Sequence, residues 1–431
     1  MDQQDINAGL MHFIQASPTP YHAVANITAA LDQAGFTRLQ EGVAWKLVKG
    51  GSYYTTRGGS SVVAFRTGNG DIAATGFHMV GAHTDSPCLK VKPQPEIVNQ
   101  QYLQLGVEVY GGALLNPWFD RDLSLAGRVD YQDSQGNLAS CLINIEKPIA
   151  VIPSLAIHLD REANDKRAIN AQTYLPAILA RDPGEFNLKS WLQAYLHNTL
   201  GIKDVTKVLA FDLRFHDVQP PAAIGLNGEF IASARLDNLL SCYIGLRSLL
   251  ASSASQGSLL VCTDHEEVGS VSASGAKSPF LEAVVERVAD ALVGTGTEGK
   301  RRLLDNSLFC SVDNAHGIHP NFADKYDEKH GPILNQGPVI KINGNQRYAT
   351  SSETSAFFTR LCEQAGVPVQ VFVVRSDMGC GSTIGPIVAG ELGVKTLDIG
   401  VPTFAMHSIR ELAGSEDAAS LATALTAFYN R

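Results

Sequence analysis

Hydrophobic and polar positions follow two rhythms along this chain, and the rhythms divide it into regions. Residues 3–16 and 20–34 carry apolar side chains at the spacing of helices. The second run has Thr19 as its predicted cap, Pro20 at the first helical position and Gly35 just past its end. Residues 43–66 mix glycine with β-formers such as Trp45, Tyr53, Tyr54, Val62 and Phe65, the pattern of a hairpin. Val80-Gly81-Ala82-His83 then predicts a strand end, followed by a turn at Thr84-Asp85-Ser86-Pro87.

From about residue 94 the texture changes. Residues 101–146 alternate in β fashion with Gly and Asn-Pro breaks, 170–200 read as helical, and Phe211 to Phe215 as another strand. Pro220-Pro221 marks a linker. Residues 94–220 are therefore expected to form an inserted β-rich domain, with 1–93 and 221–431 as the two parts of one larger domain. In its second part, Leu236, Leu239, Leu240, Tyr243 and Ile244 keep helix spacing, and a last helix is expected from about 415 to 430. Apolar runs at about 258–263, 307–312, 338–342, 369–374 and 395–399 predict strands separated by helical stretches. Such alternation implies the α/β class, a mostly parallel sheet with helices on both faces.

Composition narrows the choice of partners. The chain has 431 residues, 45% hydrophobic and 18% charged, which fits a globular protein with a large core. A net charge of −9 argues against nucleic acid or an anionic membrane as the main partner. Neither a signal peptide nor a transmembrane run is evident. The seven scattered cysteines do not suggest a disulfide framework, so a reduced, cytoplasmic setting is expected.

The chemistry concentrates in five stretches. Asp264-His265-Glu266-Glu267-Val268-Gly269-Ser270 follows a buried-strand run, so two glutamates sit where a strand leaves the core. His83-Thr84-Asp85, Asp237, Asp313 and His407 also fall at or near expected strand ends, where open α/β sheets bind ligands. Each has a plain alternative. Glu266-Glu267 suits a solvated loop, Asp237 a helix cap, Asp313-Asn314 a turn, and the histidines a surface or a satisfied core.

Taken together, two imidazoles and three carboxylates suffice for a pair of zinc ions if one carboxylate bridges. Asp237, Glu267, Asp313 and a hydroxide would offset the charge of two divalent cations. Asp85 would orient the imidazole of His83. Glu266 would take the proton of the shared water and pass it to a departing amine.

Five ordered blocks then carry a resemblance. They are Gly81-Ala82-His83-Thr84-Asp85-Ser86-Pro87, Ala234-Arg235-Leu236-Asp237-Asn238, the Asp264–Ser270 block, Ser311-Val312-Asp313-Asn314-Ala315-His316 and Ala405-Met406-His407-Ser408. With these the chain resembles the aspartyl aminopeptidase family of dizinc metallopeptidases along essentially its whole length. The resemblance implies that His83, Asp237 and Asp313 hold one metal, and Asp237, Glu267 and His407 the other. Glu266 is then the base and Asp85 the partner of His83. It implies release of N-terminal Asp or Glu from peptides, and tetrahedral dodecamers built from dimers through the inserted domain.

Lys341, at the end of a predicted strand, is a physical candidate to pair with the substrate's side-chain carboxylate, against the alternative of a solvated lysine. The resemblance adds Tyr348 and His316 as substrate contacts, and His158 as a residue supplied by a neighbouring subunit. The alternative for His158 is a buried or interface histidine. Met378-Gly379-Cys380-Gly381-Ser382 offers a backbone-amide pocket.

Gly294-x-Gly296-x-x-Gly299 matches a dinucleotide fingerprint but follows a helical stretch, not the required strand. Cobalt or manganese are expected substitutes for zinc. The rival readings are a dizinc aminopeptidase, carboxypeptidase or deacylase of another preference, and a non-catalytic scaffold.

Overall fold

The computed structural model describes residues 2–253 and 255–431, and these divide into two compact units. The first comprises the chain up to Ser86, Pro221–Met406 and Glu411–Arg431, and the second Pro87–Pro220 with His407–Arg410.

The first unit is built on a nine-stranded sheet. At its centre, Gly257–Thr263, His78–His83, Leu308–Val312 and Lys395–Gly400 lie side by side and parallel, so their carboxyl ends share one edge. Alternation along these strands sends side chains to opposite faces. Val80, Ala82, Leu260, Cys262, Cys310 and Val312 enter one core with the helices Gln3–Ala16, Pro20–Gln33, Leu236–Ala251 and Asp417–Tyr429. Met79, Leu259, Val261 and Phe309 enter another with Phe280–Leu292, Thr297–Asp305 and Ile384–Leu392. Both faces are covered, which is why these strands read as continuous apolar runs. Toward the sheet's ends some strands turn antiparallel, as Ser52–Arg57 does against Ser61–Thr67 in the hairpin. A separate five-stranded sheet includes Phe230–Ser233 paired with Glu411–Gly414.

The second unit is a six-stranded, wholly antiparallel sheet. The helix Leu188–Asn198 buries Leu188, Leu192 and Leu196 in its core.

Three sequence expectations change. The boundary at residue 94 falls inside the strand Cys88–Asn99, which pairs within the second unit's sheet, so that unit begins at Pro87. The stretch 170–200 is not one helix, because Ala177–Arg181 pairs as a strand with Tyr102–Tyr110. Its Ala-Leu composition favours helix, and strand pairing overrides that weak preference. Thr19 occupies the cap position, yet its hydroxyl bonds His22 Nδ1 at 2.8 Å rather than a helix N–H. Among the described residues no helix is long and apolar enough to cross a membrane.

Candidate metal centre

Three neighbouring parallel strands deliver chemistry to one edge of the large sheet. His83 is the last residue of its strand and is 2% exposed. Glu266 and Glu267 open a short turn just beyond Gly257–Thr263, entered through His265 at φ 65°. Asp313 follows Leu308–Val312 directly. Asp237 arrives differently, at the distorted start of Leu236–Ala251, just after the five-stranded sheet releases the chain. Arg235 before it has φ 59°, and the Asp237–Asn238 peptide bond is cis. Left-handed non-glycine residues are uncommon and gather where geometry is imposed by surrounding structure.

His83 Nε2 lies 3.3 Å from Asp237 Oδ1 and 3.5 Å from Asp313 Oδ1. Neighbouring ligands on a tetrahedral ion with bonds of 2.0–2.1 Å are separated by about 3.3 Å. The spacing and the donor types, imidazole nitrogen and carboxylate oxygen, therefore fit a zinc-like cation. Ligand atoms of His83, Glu266 and Glu267 also lie within 4.8 Å of one another. His83 Nδ1 is 3.0 Å from the Asp85 carbonyl, which can only accept, so Nδ1 carries the proton and Nε2 faces the cluster.

Asp85 does more than the sequence suggested. Fully buried, it stands 3.4 Å from His83 Nδ1, and its two carboxylate oxygens accept the N–H groups of Glu266 and Glu267, each at 3.1 Å. One carboxylate thus fixes a histidine and the glutamate turn together. Ser86 Oγ donates to the Asp237 carbonyl at 2.6 Å, Asn238 Nδ2 to the Val312 carbonyl at 2.8 Å, and Cys242 Sγ to the His83 carbonyl at 3.0 Å. Ser86 and Asn238 were hinted at by adjacency to the candidate ligands. Nothing in the sequence marked Cys242.

The cluster is electrostatically loaded. Burial, opposed by His83 and reinforced by Asp313, Asp237 and Asp85, pushes the Glu266 carboxyl up to about 7. Burial and the charge of Asp237 hold Glu267 well above the usual carboxylate range. Burial works against a proton on His83, yet hydrogen bonds to Asp237, Asp313 and Asp85 raise it well above the ordinary histidine value. Such a concentration of negative charge favours a cation.

Lys341 is not the solvated lysine of the plain alternative. It is 2% exposed in the strand Val339–Ile342, with Nζ 3.2 Å from the Asn314 carbonyl, 3.4 Å from Asp313 Oδ2 and 5.1 Å from the centre of the Tyr348 ring. Tyr348 is buried beside Cys380, and burial raises its hydroxyl pKa. His316 is exposed, with its ring edge-on to Phe372 at 5.6 Å.

The Cys380 carbonyl accepts from Arg347 Nε at 3.2 Å, which ties the Met378–Ser382 loop to the residue before Tyr348. Gly294 and Gly296 follow the helix Phe280–Leu292, so the strand that the dinucleotide fingerprint needs is not there.

Two candidates belong to the second unit. His407, at φ 67°, has Nδ1 3.1 Å from the Gly112 carbonyl, which places the proton on Nδ1, the tautomer whose Nε2 can act as a metal ligand. His158 lies on an exposed turn, so of its alternative, a buried or interface histidine, the buried form does not hold and the interface form stands.

With this geometry in hand, the comparisons are direct. Residues 13–429 match the family of aminopeptidase I zinc metalloproteases, M18. A probable M18 family aminopeptidase 2 of Pseudomonas syringae pv. syringae (strain B728a) is 57% identical over 427 residues, spanning 99% of this chain and 98% of its own. A chain in a solved complex of Ape4 and Nbr1 is 37% identical with a TM-score of 0.95, over 99% of this chain and 86% of its own. The mApe1 dodecamer of S. cerevisiae gives 29% identity and a TM-score of 0.86, over 99% of this chain and 96% of its own. The chain therefore belongs to the M18 family of zinc metallo-aminopeptidases.

Proposed function

We propose that this aminopeptidase releases N-terminal Asp or Glu from peptides, using two zinc ions per chain. His83, Asp237 and Asp313 would hold one ion and Asp237, Glu267 and His407 the other. When bound, two such ions supply an acidified water and a polarised scissile carbonyl. Cobalt or manganese would serve the same donor set.

The rest of the work falls to the chain. Glu266, docked through its N–H on Asp85, accepts a proton from the attacking water and returns it to the departing amine. Glu267 and its neighbours present negative charge to the substrate's α-ammonium group.

Lys341 carries the acidic preference. A lysine 2% exposed is rare, and a buried ammonium is costly unless it meets an anion. Asp313 supplies one at 3.4 Å, and a substrate carboxylate would supply a second. Tyr348, whose ring lies 5.1 Å from Nζ, fixes where the ammonium points, and His316 stands exposed beside the same strands.

The experiment is Lys341→Met, assayed on matched aminoacyl amides with acidic and neutral N-terminal residues. Selective loss on the acidic substrates supports the reading. Equal loss on both moves Lys341 to a structural role.

We extend the proposal to assembly. The chain would form a homo-oligomer, a tetrahedral dodecamer of dimers, with the second unit at the dimer contact. The mApe1 relative is a dodecamer. The turn bearing His158 exposes Leu155 at 55%, Ile157 at 47% and Leu159 at 75%, apolar surface that suits burial against a second copy. His158 would then reach the neighbouring copy's substrate. Among the described residues none of the seven cysteines is in a disulfide, which suits the reducing cytoplasm.

A further inference from the structure

The candidate ligands come from segments far apart in sequence, and side chains that bind no metal stitch those segments together. Asp85 joins the His83 segment to the Glu266–Glu267 turn. Ser86 joins it to Asp237, and Asn238 joins Asp237 to the strand that ends before Asp313. One further residue grips Asp237 from the opposite end. Glu411 Oε2 accepts the Asp237 N–H at 2.9 Å.

This contact follows from how the backbone is built. Asp237 and Asn238 have non-helical torsions, φ −82° and ψ 106°, then φ −127° and ψ 28°, inside the opening of Leu236–Ala251. The Asp237 N–H belongs to the first turn, where the helix supplies no acceptor, and the residue is 3% exposed. A buried N–H needs a partner. Glu411 is set to provide one because Glu411–Gly414 pairs with Phe230–Ser233, with Glu411 opposite Ser233, just upstream of Asp237. The carboxylate is therefore aimed by a sheet rather than by a loop.

The choice of glutamate is informative. A neutral side-chain carbonyl would accept the same N–H more weakly than a carboxylate does. Glu411 is 2% exposed, and a buried carboxylate is favoured near a bound cation. Asp237, moreover, is the one residue assigned to both ions in the reading above.

We propose that Glu411 is a positioning residue for the metal pair. It holds the Asp237 main chain, with Ser86 on the other side, and so fixes where the Asp237 carboxylate would meet the metal. This rests on Asp237 being a ligand.

The test uses the full chain, stripped with a chelator and titrated with zinc against a competing indicator, then loaded with cobalt for its absorption spectrum. Glu411→Gln is expected to lower zinc affinity about ten- to a hundred-fold, the usual cost of losing a group that orients a ligand, and to shift the cobalt bands. The fall in unfolding temperature should be confined to the zinc-loaded protein. Ser86→Ala, which releases the Asp237 carbonyl, should move affinity the same way and serves if Glu411→Gln does not fold. Wild-type affinity and spectrum in both variants would overturn the proposal. Asp237→Asn is the control for the ligand assignment. If it too binds zinc like the wild type, the assignment has failed rather than the role of Glu411.

Discussion

His83 and His158 sit in opposite surroundings. His83 is buried at the edge of a parallel sheet, with carboxylates of Asp85, Asp237 and Asp313 within 3.5 Å of its ring nitrogens. His158 stands on an exposed turn of the second unit between exposed apolar residues. The first environment can be understood within one chain, since its carboxylates, its imidazole and the groups that aim them are all present. The second has apolar surface that no described residue covers, and under the proposed assembly a second copy would cover it.

The largest expected effect would come from breaking the first region at its base. Glu266→Gln should reduce kcat by about a hundred- to ten-thousand-fold while metal analysis still finds the wild-type zinc content. Undiminished turnover would remove Glu266 from the mechanism. Next comes Lys341→Met, expected to cost acidic substrates about ten- to a hundred-fold in kcat/KM, the worth of one charge-assisted hydrogen bond, with far less loss on neutral ones.

The second region is probed by Leu159→Asp. A charge at a position 75% exposed should leave the fold intact but lower the assembly's mass in light scattering, with unchanged zinc per chain. A wild-type mass would show that this turn is not at an interface.

The smallest effect concerns half-buried histidines that lack the carboxylates of the cluster. Burial, with help from Arg235 and Arg431 respectively, lowers His22 and His78 to about 4. Between the ordinary histidine value of 6.5 and about 4 the unfolded chain binds more protons than the folded one. Their contribution to stability is therefore complete above that window and is lost as pH falls through it. Chemical unfolding of the metal-free protein at several pH values, compared with His22→Gln/His78→Gln, checks this. Parallel pH profiles would contradict it.

Much of the first unit was legible because its strands are buried on both faces and read as uninterrupted apolar runs. Gly257–Thr263, Leu308–Val312 and Lys395–Gly400 lie close to where their runs predicted them. The second unit was harder. Ala177–Arg181 has a helix-former's composition, and only its pairing with Tyr102–Tyr110 makes it a strand.

At the site, ligand types and order could be read from the motifs, while the support for them could not. The use of Asp85 by two glutamate N–H groups, the burial of Lys341 and the grip of Glu411 on Asp237 arise only when distant segments meet. Helix spacing from Leu236 put Asp237 at a helix start, but gave no sign of the non-helical torsions at Asp237 and Asn238.

The central claim is a pair of cations held by five side chains. The most direct measurement is the zinc stoichiometry of the metal-stripped full chain on titration, followed by anomalous diffraction at the zinc edge. The expected result is two ions per chain, sharing Asp237. One ion, or two ions bound away from His83, Asp237 and Asp313, would contradict it.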